Sequence, residues 1–400
     1  MPVNFSRIDI ETVQRAGDKG YFLSEKTDGV RHLLVFLGNT AVLVDRTMAG
    51  KRPKSSSSDG SNKNKDKTAM NRSKNNDTDD PLGHLASIVQ PGTVLDGEVV
   101  VHRGLRRPIF VVFDVLSIST KDAVCHLPFA ERLEHLRRGS FQRKASSTVS
   151  SESGNKDNGS SGRGYKYVDP FESAAVSDPN VPMPLLRKGF VERTDLDGLL
   201  SRVTEDRGGR TYRNGPSHHH LTDGIVFQPN TPYVCGTDTR LLKWKYLDTV
   251  TIDVEIGPSS GGGGINGIAD NAVSVCVMGN EGTDVNMSRY VHLPSSEKLR
   301  LEADRNESGA RIAEVGFNPG TGEWYYLTMR PDKTSSNHIS TVLGTMLELA
   351  EGVDTEELRY RMSVPLGSRD AYRKETGKMM KQLLSHQRDT NRRLARGARK

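Results

Sequence analysis

Cysteine is scarce: three occur in 400 residues, Cys125, Cys235 and Cys276. They are far apart, odd in number and without a C-x-x-C spacing, which argues against a disulfide framework and a zinc site and fits a reducing compartment. Long apolar runs are also missing. None reaches the roughly 18 residues of a membrane span, and the N-terminus has no basic region followed by an apolar stretch. A soluble, intracellular protein with no membrane association is the expectation. Apolar residues make up only 34% of the chain and mean hydropathy is −0.57, so part of the length has to be solvated linker or insertion. What remains is still long enough for two ordinary domains, each with its own core.

Charge is present but unevenly spread. The chain carries 56 basic and 50 acidic residues, a net charge of +6. Residues 369–400 hold eleven Lys/Arg against three Asp/Glu, or +8, which leaves about −2 for everything before them. A basic tail over 366–400 suits RNA phosphates, an acidic or phosphorylated protein, or a nuclear import receptor. A solvated, disordered end is the plainer reading. Residues 51–80 and roughly 140–165 are rich in Lys, Ser, Asn, Asp and Gly and cannot bury enough apolar area to order themselves. With shorter stretches at 207–220 and 258–264 they read as surface loops lengthened within one domain, since long loops cost little closure entropy.

Between these stretches lie short blocks rich in Val, Ile, Leu and Phe. Strands are predicted at 21–25, 30–37, 41–45, 94–102, 109–116, 224–228, 241–245 and 249–256. Helical spacing of Leu127, Ala130, Leu133 and Leu136 predicts a helix over 127–138. Further strands are expected at 272–278, 288–292, 312–317 and 324–329, then a helix over 338–351. The second group is compatible with a small barrel. An α+β chain is the result, with a first domain over 1–250 and a second over 251–365.

Lysine attacks phosphorus only when uncharged, so a lysine nucleophile needs burial or neighbouring cations to disfavour its ammonium. Lys26 lies where the apolar strand Tyr21-Phe22-Leu23 runs into Asp28-Gly29, whose glycine permits a tight turn and close approach of a phosphate. Arg31 follows at once. Alone, Lys-x-Asp-Gly-x-Arg could also be a charged hairpin turn. Leu95-Asp96-Gly97-Glu98 and Asp223-Gly224-Ile225-Val226-Phe227 repeat the pattern of an acidic-glycine turn beside an apolar strand, and three such turns could set carboxylates around a metal-bound triphosphate. Lys243 and Lys245 share one strand face, because side chains alternate with period two; a solvated face with Trp244 in the core is the alternative. Asp253 follows on the next strand, near enough to hold a metal or water. Arg330-Pro331-Asp332-Lys333 is a surface turn or a mobile clamp on the β- and γ-phosphates.

In this order the pieces resemble the six colinear motifs of the covalent nucleotidyltransferases, which comprise messenger-RNA capping guanylyltransferases and ATP-dependent DNA and RNA ligases. Residues 24–31, 223–229 and 241–245 resemble the capping branch more than the ligases, as does the stretch 337–342. The resemblance implies a nucleotidyltransferase (ligase-like) domain of antiparallel sheets with flanking helices, then an OB-fold β-barrel that closes over GTP and opens for RNA. It makes Lys26 the site of a phosphoramidate to GMP and places Arg31 and Arg46 beside the ribose. Glu98 becomes a sugar or metal contact, Phe113 the aromatic that stacks on guanine and Lys188 the lysine that reads it, although Phe113 is also read as a core phenylalanine. Lys243 and Lys245 would hold the α-phosphate and lower the basicity of Lys26. Asp253, with Glu98, would sit by a divalent metal, Mg2+ or Mn2+, while Arg330, Asp332 and Lys333 orient the leaving pyrophosphate.

The activity implied is transfer of GMP from GTP through Lys26 to the 5′-diphosphate end of RNA, in the nucleus. Partners implied are that RNA, a separate RNA triphosphatase, since no such region is evident here, and the phosphorylated tail of RNA polymerase II. Thr328 stands where the family often has another basic residue, and only 25 residues precede Lys26, where the family usually has a longer segment. That segment is then either dispensable or absent from this sequence. The alternatives are an ATP-dependent polynucleotide ligase and a catalytically inactive RNA- or polymerase-binding scaffold of the same fold.

Overall fold

The computed structural model describes residues 1–38, 40–45, 50, 51, 82–143, 171, 173–179, 181–257 and 274–365, with positions 378, 381 and 385 beyond them. The insertions expected at 51–80 and 140–165 fall almost wholly outside the described residues, and so does the tail at 366–400. The loop at 258–264 lies outside entirely.

The chain begins with β1 (Pro2–Asn4) and α1 (Arg7–Arg15). Ser6 N donates to the Asp9 carboxylate at 2.7 Å, tying down the helix start. Then come β2 (Tyr21–Thr27), β3 (Val30–Leu37), β4 (Thr40–Val44) and β5 (Gly50–Lys51). After α2 (Gly83–Ile88), the pair β6 (Val94–His102) and β7 (Arg107–Ser117) leads into α3 (Phe129–Arg138), which ends on the left-handed Gly139. Short pieces follow: β8 (Leu185–Arg187), β9 (Val191–Glu192), α4 (Leu196–Leu200) and β10 (Val203–Asp206). A long meander, β11 (Gly209–Asn214), β12 (His218–Pro229) and β13 (Asp238–Lys245), completes the first part.

The second part holds β14 (Thr251–Gly257), β15 (Ser274–Met278), β16 (Asp284–Asn286), α5 (Ser295–Ser308), β17 (Ile312–Asn318) and β18 (Glu323–Met329). It ends with α6 (Ile339–Glu351) and α7 (Thr355–Ser363).

Two sheets build the first part. One runs β5-β4-β3-β6-β7-β8; the other runs β1-β13-β12-β11-β10, with β2 joined to β12 and β9. Each has its own core. Leu34, Phe36, Leu95, Phe110 and Val112 meet α3 through Phe129 and Leu133, while Leu23, Ile225, Phe227 and Trp244 meet α1 through Ile10 and Val13. Between β2 and β3 the chain crosses from one sheet to the other, and the crossing is Asp28-Gly29. A Cβ on Gly29 would lie 2.7 Å from Val99 O, so glycine is what lets the crossing pass this close to β6.

The second part departs from expectation. Among the described residues its strands follow an open path, β16-β15-β14-β17-β18, and no pairing joins β16 to β18. The closed barrel is therefore not seen. Residues 288–292 are turn rather than strand, and the strand in this region is β16. The stretch 207–220, expected as loop, is largely a hairpin of β11 and β12. Helices α1, α2, α4, α5 and α7 were not foreseen. In α5 only Leu301 is buried along 14 residues, so there is little apolar period to read.

After α6 the chain returns to the first part. Val353, Leu358 and Met362 are buried in the same core as Phe5, Phe227 and Trp244. Trp244 Nε1 donates to Val353 O at 2.8 Å, Arg7 pairs with Glu357 and donates to Glu351 O at 2.7 Å, and Gln14 donates to Arg361 O at 2.6 Å.

Candidate active site

Three adjacent strands set the lysines. Lys26 on β2 lies opposite Gly224 on β12, which lies opposite Lys245 on β13; Lys243 faces Val226. Directly opposed residues on neighbouring strands point to one face, so Lys26 and Lys245 flank a residue without a side chain. A Cβ at Gly224 would stand 1.9 Å from Trp244 O. Asp223 occupies the space between the two ammonium groups. Lys26 Nζ donates to both its oxygens, at 2.7 and 2.8 Å, and Lys245 Nζ lies 3.1 Å away. Burial alone would raise the Asp223 carboxyl, but Lys26 and Lys245 hold it below its ordinary value. Lys243 is also held below its ordinary value, its ammonium disfavoured first by burial and then by Lys245 and Lys26.

Beside Lys26 opens a cleft. Phe113, Lys188, Arg31 and Glu98 line it with Lys26. Phe113 is half-buried, with Lys188 Nζ 5.9 Å and the Arg31 guanidinium 5.6 Å from its ring centre. An aromatic face open on one side and ringed by cations suits a planar, electron-rich base. The core-phenylalanine reading does not describe it. Arg31 is less free than its motif implied. Its Nε donates to Asp96 at 2.9 Å and its Nη2 to Tyr233 Oη at 3.0 Å, and Tyr233 in turn donates to Asp96 at 2.9 Å. Glu98, half-buried in the cleft wall, has its carboxyl raised by burial, with Lys188 and Lys26 opposing.

Behind this wall Asp114 accepts two bonds from Arg132, each 2.8 Å, with both residues buried. Sequence reasoning did not single out Arg132 or Tyr233, and took Asp96 and Asp223 only as parts of acidic-glycine turns, whereas both lie within strands, β6 and β12. The signal for both was the Asp-Gly pair. Tyr233 had none, because it lies in a loop that only the fold brings beside Arg31.

The remaining candidates form a separate group. Arg330 Nη1 lies 3.3 Å from Asp253 and 3.1 Å from Glu314, and Nη2 lies 2.8 Å from Asp332. Lys333 Nζ is 3.6 Å from Asp253. None of these lines the cleft, so Glu98 and Asp253, expected to share a metal, stand in different groups. Arg46 lies outside the described residues.

Comparison with known proteins agrees with the geometry. A model described as the mRNA capping enzyme catalytic domain matches residues 1–176, and one for the mRNA capping enzyme C-terminal domain matches 269–359. An mRNA-capping enzyme subunit alpha of Eremothecium gossypii is 24% identical over 419 aligned positions, covering 90% of this chain and 76% of that protein. One of Schizosaccharomyces pombe is also 24% identical, covering 93% and 80%. Among solved structures, a mycobacterial DNA ligase D complexed with ATP and MES is 13% identical, covers 83% of this chain and 94% of that one, and superposes with a TM-score of 0.38. With both domain models matched in chain order, and Lys26 within the first of them lining the cleft, the chain belongs to the mRNA capping enzyme family, and it is a nucleotidyltransferase.

Proposed function

We propose that this capping enzyme transfers GMP through Lys26. The observation that carries the assignment is the contact of Lys26 Nζ with both oxygens of Asp223 at the mouth of the Phe113 cleft. Lys26 gives up a proton toward Asp223, and its nitrogen attacks the α-phosphorus of GTP. The P–N bond forms, the bond to the β-phosphate breaks and pyrophosphate leaves. A terminal oxygen of the RNA 5′-diphosphate then attacks the same phosphorus, the P–N bond breaks, and Lys26 recovers its proton. Guanine stacks on Phe113 with Lys188 at its edge. Lys243 and Lys245 face the α-phosphate, and Arg31, fixed by Asp96, faces the ribose.

A divalent ion, Mg2+ or Mn2+, fits the donors in a limited way. Among the described residues no three carboxylate, histidine or cysteine groups cluster, but the half-buried Glu98 carboxyl is disfavoured as an anion and would be stabilised by a cation. One protein carboxylate plus the triphosphate is a common setting for such an ion, which would neutralise charge on the departing phosphates. Asp253 would join it only after Arg330 and Lys333 exchange that carboxylate for the β- and γ-phosphates. This would need the sheet of β14 to β18 to move against the first part as an OB-fold lobe closing over GTP, while Val353, Leu358 and Met362 stay in the first part's core; the antiparallel pairing of β14 to β18 supports that reading. The name subunit alpha of the relatives fits a partner such as a separate RNA triphosphatase, and the basic tail fits RNA or a phosphorylated polymerase tail in the nucleus.

Incubation with α-labelled GTP and a divalent metal should leave acid-labile label on the protein, and Lys26→Ala should abolish it. Label taken from ATP in preference to GTP would establish a ligase instead. Folded protein that binds RNA but takes no label would establish a scaffold.

A further inference from the structure

Below the cleft floor lies a buried polar chain that the transfer reaction does not use. Glu25, next to the nucleophile on β2, is fully buried, and so is His220 on β12; Lys188 is 7% exposed. His220 Nε2 lies 3.3 Å from Glu25 Oε1, and the same oxygen lies 3.6 Å from Lys188 Nζ. Lys188 also donates to Thr27 Oγ1. An ammonium has three donors. One goes to Thr27, one points toward Glu25, and the third is left for the cleft, where Phe113 lies 5.9 Å away. A carboxylate only accepts, so His220 carries its proton on Nε2. Among the described residues, Glu25 Oε2 and His220 Nδ1 have no hydrogen-bond partner. Buried groups left in this state are costly, and a fold that keeps them has a use for the contact they flank. Tyr212, 5.5 Å from the His220 ring centre, packs on its far side.

We infer that His220, acting through Glu25, is a positioning residue that sets Lys188 to read guanine; this rests on the assignment of Lys188 to the base. An ammonium at the base edge donates to O6 of guanine, a carbonyl that adenine replaces with an amino group. By holding Glu25 Oε1, His220 stops the carboxylate from turning fully onto Lys188 and drawing it out of the cleft. His220 lies on β12 just before the segment that pairs with β2, and is held there by its own pairing with Tyr212 on β11.

The test compares the rate of labelled adduct formation with α-labelled GTP, ITP and ATP across wild type, His220→Phe, His220→Gln, Lys188→Ala and the double variant His220→Phe with Lys188→Ala. Phenylalanine keeps the packing on Tyr212 and loses the donor; glutamine keeps a donor near Nε2. His220→Phe should raise the half-saturating GTP concentration about tenfold, in line with loss of a hydrogen bond to a charged group, with the maximal rate little changed. ITP, which keeps O6, should shift in step, and preference over ATP should fall. His220→Gln should behave as wild type, and in the Lys188→Ala background His220→Phe should add nothing. Unchanged nucleotide preference in His220→Phe, or an equal effect without Lys188, overturns the inference. Should His220→Phe fail to fold by thermal melting, Glu25→Gln in the same cycle decides, with the same two outcomes. Wild type that labels with GTP while the cycle is additive removes only the role of His220; wild type that does not label removes the lysyl-GMP assignment and this inference with it.

Discussion

Lys26 and Asp223, 197 residues apart in the chain, meet across the β2 and β12 strands with both carboxylate oxygens within 2.8 Å of the ammonium. Lys245 shares the same carboxylate from the third strand. One acid therefore couples the nucleophile to the phosphate-binding face, and substitutions there separate chemistry from binding.

Asp223→Asn keeps the shape and removes the proton acceptor and the counter-charge. Adduct formation should slow by about 10² to 10⁴ fold, with a half-saturating GTP concentration changed much less. A loss confined to GTP affinity would show that Asp223 serves binding alone.

Gly224→Ala puts a methyl group where Trp244 O already stands, 1.9 Å from the added carbon. The β12 and β13 strands must part, so stability should fall by about 1–3 kcal/mol and Lys245 should lose its place beside Asp223. Thermal melting and adduct yield check the two effects, and a variant with full activity would place the phosphate elsewhere.

Glu348, on α6 against Lys243 and Lys245, has its carboxyl pushed up by burial to about 7 from an ordinary 4.5, with the two lysines pulling it down. The folded protein thus binds this proton more tightly than the unfolded chain does. Its contribution to stability is full below about pH 4.5 and is lost as pH rises through 7. Glu348→Gln removes that loss, so from pH 5 to pH 8 the variant should lose less stability than wild type, by up to about 3 kcal/mol. Denaturant titration at the two pH values measures it; identical slopes would exclude the effect.

Arg7 is buried between Glu357 and Glu351 O. Arg7→Ala leaves Glu357 with Arg361 at 3.5 Å as its remaining partner and should cost about 3–5 kcal/mol. The detachment should appear as faster proteolysis between residues 352 and 365, and an unchanged digestion pattern would mean that α7 is held by its apolar contacts.

Arg330→Ala tests the clamp. If Arg330 leaves Asp253 for the triphosphate, adduct formation should slow by about 10² fold, while transfer from preformed adduct to RNA changes little. Equal losses in both steps would make Arg330 a structural partner of Asp253 and Glu314.

Much of the strand pattern was readable because its period is local. The strands β3 and β6 occupy the expected residues, 30–37 and 94–102, since alternation and turn residues are properties of a few neighbours. His218 to His220 illustrate the opposite case. As a histidine run in a polar stretch they suggested an exposed loop, yet they begin β12 and His220 is fully buried. What buries it is Glu25, 195 residues away in the chain, together with Tyr212 across the β11–β12 hairpin.

The sequence by itself determined the chemical identities: a lysine before an Asp-Gly turn, two lysines on one strand face, an aromatic after the second acidic-glycine turn, and a charged run near the end. Only the tertiary structure decided which of them work together. It drew Lys26, Phe113, Lys188 and Glu98 into one cleft, tied Arg31 to Asp96 and Tyr233, and set Asp253 with Arg330 in a second group. The reason is physical. Residue type and spacing fix which face of a strand a side chain takes, while strand register and the crossing at Gly29 fix which faces meet.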